Sequence, residues 1–283
     1  MKYILIGYLG GSQIYTDHPD DMGLYCSTFT TIMGLIEERL DDDLHIVSCG
    51  SIKISFSKKE SMYFLISSLE GESINYLKKQ TRFIQDLLCF TFTPSILNDG
   101  SGLRHRIPQN IMQNMFNSAK SLFRNKHSFL LNCLEYLDVP ASLLERYTKI
   151  INTYCESKKV DQVSESLYIR HVICLVNYKI LLKLSGVTRA ELLNIDATLL
   201  LISYAYTHFR ICKRSKSGSY HSISEQIYLP TNSNSWIAYN CHIFVIEYPF
   251  ISIFLTDPSN QINYEKQKMK QIYTCIKNSL QPY

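Results

Sequence analysis

The side chains that could bind a metal or act as nucleophile and base are nine cysteines, eight histidines and a few short carboxylate runs. A zinc site needs about four ligands converging at ~2.3 Å, which sequences supply as closely spaced pairs. Cys26, Cys49, Cys89, Cys133, Cys155, Cys174, Cys212, Cys241 and Cys275 are never two or three residues apart, and most lie within apolar segments. They read as buried free thiols of a reducing compartment. Asp17-His18-Pro19-Asp20-Asp21 crowds several ligand types into one short loop, but nothing there holds them at a fixed spacing, so it reads as a solvated turn. Asp41-Asp42-Asp43 reads as a polar break between a helix and a strand. Gly7, Gly10 and Gly11 lack the Gly-Lys-Ser/Thr ending of a phosphate-binding loop and fall in a hairpin. There is no Gly-x-Ser-x-Gly elbow and no His-Glu-x-x-His helix. The expectation is a chain with no catalytic residues, no metal and no cofactor.

Charge narrows the partners. The net charge is +4, and 19% of residues are charged. That is too little for a dedicated nucleic-acid binder, which shows a basic stripe or a recognisable module. Arg104, His105 and Arg106 form one small basic group in a loop. Lys213, Arg214 and Lys216 form another; with Ser215 and Ser217 available for phosphorylation, these three are the candidate contact to an anionic membrane. No stretch approaches the ~18 apolar residues of a membrane span. The chain therefore reads as cytosolic, with peripheral membrane contact.

The elements that carry these groups repeat. With 283 residues, 46% of them hydrophobic, one large or two ordinary domains can be filled. Tyr3–Ile6 and Gln13–Tyr15 read as a hairpin; Leu24–Leu40 reads as a helix with Phe29, Ile32, Met33, Ile36 and Leu40 inward. Strands follow at Leu44–Cys49, Ile52–Phe56 and Met62–Ser67, then a helix with Ile74, Leu77, Thr81, Ile84 and Leu88 inward. Residues 95–107 read as a loop, and helical pattern then continues to Lys158, with Pro108 and Pro140 each opening a helix. The first order then returns: strands at Tyr168–Val176 and Lys179–Leu184, a helix capped by Thr188 with Glu191 three residues on, and strands near Ser222–Leu229, Trp236–Val245 and Phe250–Leu255. A last helix carries Ile262, Met269, Ile272 and Ile276 inward. The expected fold is α/β (α+β): two similar units, each a five-stranded antiparallel sheet with flanking helices in the order β-β-α-β-β-β-α, joined by a helical segment. The expected boundaries are 1–125, with a trailing helix, 126–160 as connector and 161–283.

This element order is that of longin domains, and particular stretches resemble the Fuzzy/Mon/Hermansky–Pudlak family. In the first unit these are Ile46–Phe56, Met62–Ser67, and Gly71-Glu72-Ser73 with Leu77, Lys78, Gln80 and Gln85. In the second, Asn177–Leu184, Asn194-Ile195-Asp196 and Ile227-Tyr228-Leu229-Pro230 look like the monensin-sensitivity (Mon) branch. The resemblance implies a subunit that pairs with a Ccz-like longin partner, the two first longin domains jointly exchanging guanine nucleotide on a late-endosomal Rab GTPase of the Rab-seven class. It also implies that the first unit's helix faces partner and GTPase, which makes Thr28, Thr31, Leu35, Glu38 and Arg39 the contact candidates. The family's third longin domain and N-terminal extension have no counterpart in these residues, and its Leu-Pro-x-Phe-Asn element here reads Leu229-Pro230-Thr231-Asn232. A Hermansky–Pudlak-type exchange factor for other Rabs and a non-catalytic scaffold of the Fuzzy type remain the alternatives.

Overall fold

The computed structural model describes residues 2–8, 13–17, 22–41, 44–59, 61–69, 71–92, 109–124, 129, 131, 133–156, 169–185, 193–214, 221–230, 236–245, 250–258, 270–272 and 274–275. The chain forms two compact units, Met1–Leu131 and Asn132–Tyr283.

In the first unit, β1 (Lys2–Tyr8), β2 (Gln13–Thr16), β3 (Ile46–Cys49), β4 (Ile52–Lys59) and β5 (Met62–Ser68) form an antiparallel sheet in the order β2-β1-β5-β4-β3. Its centre is β5, where Met62–Ile66 are all buried. A strand covered on both faces reads as a continuous apolar run, and each such side chain contributes roughly 1.5–3 kcal/mol. One face carries α1 (Met22–Leu40), where Met33 and Phe29 pack with Leu5, Phe56, Tyr63 and Leu65. The opposite face carries α2 (Ile74–Thr91) and α3 (Gln109–Arg124). Alternation along β4 shows the division plainly: Lys53, Ser57 and Lys59 reach α2 or its entry, whereas Lys58 reaches Glu37 of α1. Ser73 caps α2 by accepting from Tyr76 N–H at 3.3 Å. A ring cluster of Phe83, Phe123, Phe129 and Tyr76 joins α2 to the end of α3.

Gly7 marks a register shift in β1. A Cβ there would overlap the Tyr63 ring opposite, so glycine is required by a fully buried aromatic and not by a phosphate. Gly10 and Gly11 lie outside the described residues.

The second unit repeats the plan. β6 (Ile169–Val176), β7 (Lys179–Ser185), β8 (His221–Pro230), β9 (Trp236–Val245) and β10 (Phe250–Thr256) pair antiparallel in the order β7-β6-β10-β9-β8, position for position the order of the first sheet. α4 (Ala141–Glu156) begins directly after Pro140. The sequence places this helix in a connector, but Tyr147 and Ile151 are buried with Val172, Cys174, Phe244, Phe254 and Ile272 on one face of the second sheet. Ile272 belongs to a helical turn at 270–272; Ile262, Met269 and Ile276 lie outside the described residues. The other face carries α5 (Ile195–Arg214). Asn194 caps it, its Oδ1 accepting from Ala197 N–H at 2.7 Å, so the helix starts later than the Thr188 expectation. Thr188 and Glu191 lie outside the described residues.

Residues 133–140, expected within a helical stretch, are not helical, and 135–137 pair with a strand instead. Leu137 N–H donates to Ile180 O at 2.8 Å and Ile180 N–H to Glu135 O at 2.7 Å, a parallel bridge laid on β7. Pairing the backbone of an otherwise open edge outweighs a weak local helical preference. Asn177 and Tyr178 turn β6 into β7 with φ of 50° and 66°, the left-handed pair a two-residue hairpin requires. Tyr178 tolerates that conformation through tertiary contact: its ring stacks 3.6 Å from Tyr206, and its N–H donates to Tyr206 Oη at 2.5 Å.

Candidate interaction surface

α1 sits between the second and third strands of its sheet, and α5 occupies the same place in the second unit. The two helices differ in burial. In α5 every residue from Ala197 to His208 is buried, while Ile195, in the first turn, is exposed. In α1 only Met33 is buried among the residues from Ser27 to Leu40, with Phe29, Thr30 and Ile36 half-buried.

Two residues expected on the inward stripe of α1 are therefore corrected. Ile32 is 38% exposed and Leu40 69%. Ile32 lies on the flank of the stripe facing away from the sheet, and Leu40 ends the helix in its last turn, with Asp41 beyond it at φ 50°. Ile74, expected inward on α2, is exposed for the same reason as Ile195: both open their helices, before the sheet can cover them.

The five contact candidates are all exposed, Leu35 at 49%. Thr28, Thr31, Leu35, Glu38 and Arg39 recur at spacings of three and four, which places them on one flank of the helix. Ile32 lies within that flank, four residues after Thr28 and three before Leu35. The result is a small apolar centre, Ile32 and Leu35, rimmed by hydroxyls and one charge of each sign. Thr31 Oγ1 donates to Ser27 O at 2.9 Å, which commits its hydroxyl to the helix. Glu37 lies off this flank and is held by Lys58 at 2.7 Å. Sequence periodicity alone assigned Ile32 to the core; Thr28 and Thr31, at helical spacing beside it, were the available signal that it faces outward.

Other candidate positions resolve differently. Asp17 is not a solvated ligand. Its Oδ2 accepts from Ile4 N–H at 2.8 Å and from Lys120 Nζ at 2.5 Å, and its Oδ1 accepts from Tyr15 Oη at 2.6 Å. Burial, then the Asp17 carboxylate, holds the Tyr15 hydroxyl well above its ordinary range. The carboxylate thus clamps β1, β2 and α3. His18, Asp20, Asp21, Asp42, Asp43, Arg104, His105 and Arg106 lie outside the described residues. So do Lys216 and the side chains of Lys213 and Arg214, whose backbone ends α5. Trp236 opens β9 and is half-buried. Among the described residues no helix is long and apolar enough to cross a membrane, and no three histidine, cysteine or carboxylate side chains gather as a metal site. No protein-family model and no curated protein matches this sequence.

Proposed function

We propose that this chain is a longin-type subunit, most like the Mon subunit, of a heterodimeric guanine-nucleotide exchange factor for a Rab GTPase of the Rab-seven class. The observation that carries the reading is the contrast between two topologically equivalent helices. From Ala197 to His208 α5 is covered on every side, while α1 leaves Ile32 and Leu35 exposed on a polar-rimmed flank. An apolar centre with a polar rim is the composition of a protein interface. A Ccz-like longin subunit and the GTPase would share this surface, together burying at least ~1,000 Å². Exchange needs no covalent step. A surface that binds the nucleotide-free GTPase more tightly than the loaded form shifts the equilibrium toward release by that difference in affinity. In this reading the complex acts at the late endosome and vacuole, in endosome maturation and fusion, and Lys213, Arg214 and Lys216 provide peripheral attachment to an anionic membrane.

The test is recovery of the chain's stoichiometric partners from its native cells, followed by release of a fluorescent guanine nucleotide from the recovered GTPase. A second longin protein and a nucleotide-free late-endosomal Rab, with release accelerated by the pair, are expected. Recovery of a different Rab would move the assignment to the Hermansky–Pudlak type. Polarity or ciliary proteins without any exchange activity would overturn it in favour of a Fuzzy-type scaffold.

A further inference from the structure

Cys89, Cys174 and Cys241 are the buried thiols among the described cysteines, and their neighbours differ in kind. Cys174 Sγ lies 3.7 Å from Ser252 Oγ, and burial pushes its thiol up to about 12. Burial, then the Glu225 carboxylate, holds the Cys241 thiol well above its ordinary range. Both surroundings keep sulfur protonated and inert. Cys89, in the last turn of α2, instead receives a hydrogen bond from Lys59 Nζ at 3.1 Å. Lys59 is the last residue of β4 and is half-buried. Burial works against the thiolate here as at the other two sites, while the cation against the sulfur works for it, and the thiolate is the form that peroxide oxidises. Cys89 is only 4% exposed, so the oxidant has to be as small as hydrogen peroxide.

We propose that Lys59 and Cys89 form a covalent sulfur–nitrogen crosslink when the protein meets hydrogen peroxide. The Cys89 thiolate attacks one peroxide oxygen: an S–O bond forms, the O–O bond breaks, and hydroxide leaves. That hydroxide takes a proton from the adjacent Lys59 ammonium and departs as water, which turns the cation into an amine nucleophile beside a sulfenic acid. Nζ then attacks Sγ; the S–N bond forms, the S–O bond breaks, and the oxygen leaves as a second water carrying a proton from nitrogen. Sulfur loses two electrons and peroxide gains them. The link ties the end of β4 to the last turn of α2. The neighbouring Lys58 already ties the same strand end to Glu37 of α1 at 2.7 Å, so oxidation pins β4 between the helices on both faces of its sheet.

The experiment is peptide mapping of the full chain after a pulse of hydrogen peroxide. The expected product joins the Lys59 and Cys89 peptides, is lighter than their sum by two hydrogen atoms, and is released by dithiothreitol. Cys89→Ser lacks it. Lys59→Arg keeps a cation on the sulfur but offers no nucleophilic amine, so there Cys89 proceeds to sulfinic acid. Wild-type Cys89 that stays unmodified, or that yields sulfinic acid as readily as the Lys59→Arg variant, overturns the proposal. A linked pair that retains an oxygen atom overturns the direct S–N bond.

Discussion

Asp17 illustrates how one side chain can be read two ways. Beside His18, Asp20 and Asp21 it suggests a metal ligand; in the fold it is a half-buried acceptor for the amide of β1, the hydroxyl of Tyr15 and the ammonium of α3. Replacing it with asparagine removes the carboxylate charge beside Lys120 and weakens a charge-assisted bond. Asp17→Asn is expected to cost about 1–3 kcal/mol in urea unfolding, and an unchanged midpoint would contradict the clamp. His171 is the second informative residue. It is buried, with Nδ1 3.3 Å from Ser185 Oγ and its ring edge-on to Tyr239. Burial first, then Lys183 and Arg170, lowers it from 6.5 to about 4. A folded value below the unfolded one means that the unfolded chain binds more protons between those two values. The neutral histidine's contribution is therefore complete above about pH 6.5 and is lost as pH falls toward 4. The expected slope is on the order of 1 kcal/mol per pH unit in that window. His171→Phe removes the titration, so its stability should depend less steeply on pH from 6.5 to 4 than that of the wild type.

At the scale of elements, α1 is the segment where periodicity misleads. Phe29, Met33 and Ile36 do face the sheet, but Ile32 and Leu40 do not. A stripe read off a helix cannot say how wide the covering layer is, and here the layer is narrow. Gly34 lies on the exposed side with nothing within 4 Å of where a Cβ would sit. It costs helix stability without an evident packing reason. Gly34→Ala is expected to stabilise the first unit by about 0.5–1 kcal/mol in chemical denaturation. A loss of stability would mean that the position is crowded in solution. Strands were more legible than helices, because alternation and short apolar runs bounded by turns identify them directly. The exception is the extended segment at residues 135–137, whose pairing partner, Ile180, is distant in sequence.

At the scale of the molecule, the same strand order appears in both sheets, and the asymmetry lies in what covers the helix after the second strand. The open flank of α1 predicts a separation of folding from binding. Leu35→Asp changes a half-exposed position and should cost only about 1 kcal/mol in unfolding, while abolishing capture of the partner and its nucleotide release. A variant that binds normally would place the interface elsewhere. Much of this was determined by the sequence itself. The repeated β-β-α-β-β-β pattern follows from hydrophobic period, which is a local property, and the spacing of Thr28, Thr31, Leu35, Glu38 and Arg39 already placed them on one flank. Only the tertiary structure decided which flanks are covered. It showed α5 enclosed from Ala197 to His208 and one flank of α1 open, drew α4 onto the second sheet, set Gly7 against Tyr63, and brought Lys59 to Cys89 and Lys120 to Asp17. Burial and pairing of this kind depend on residues far apart along the chain, and no local pattern carries that information.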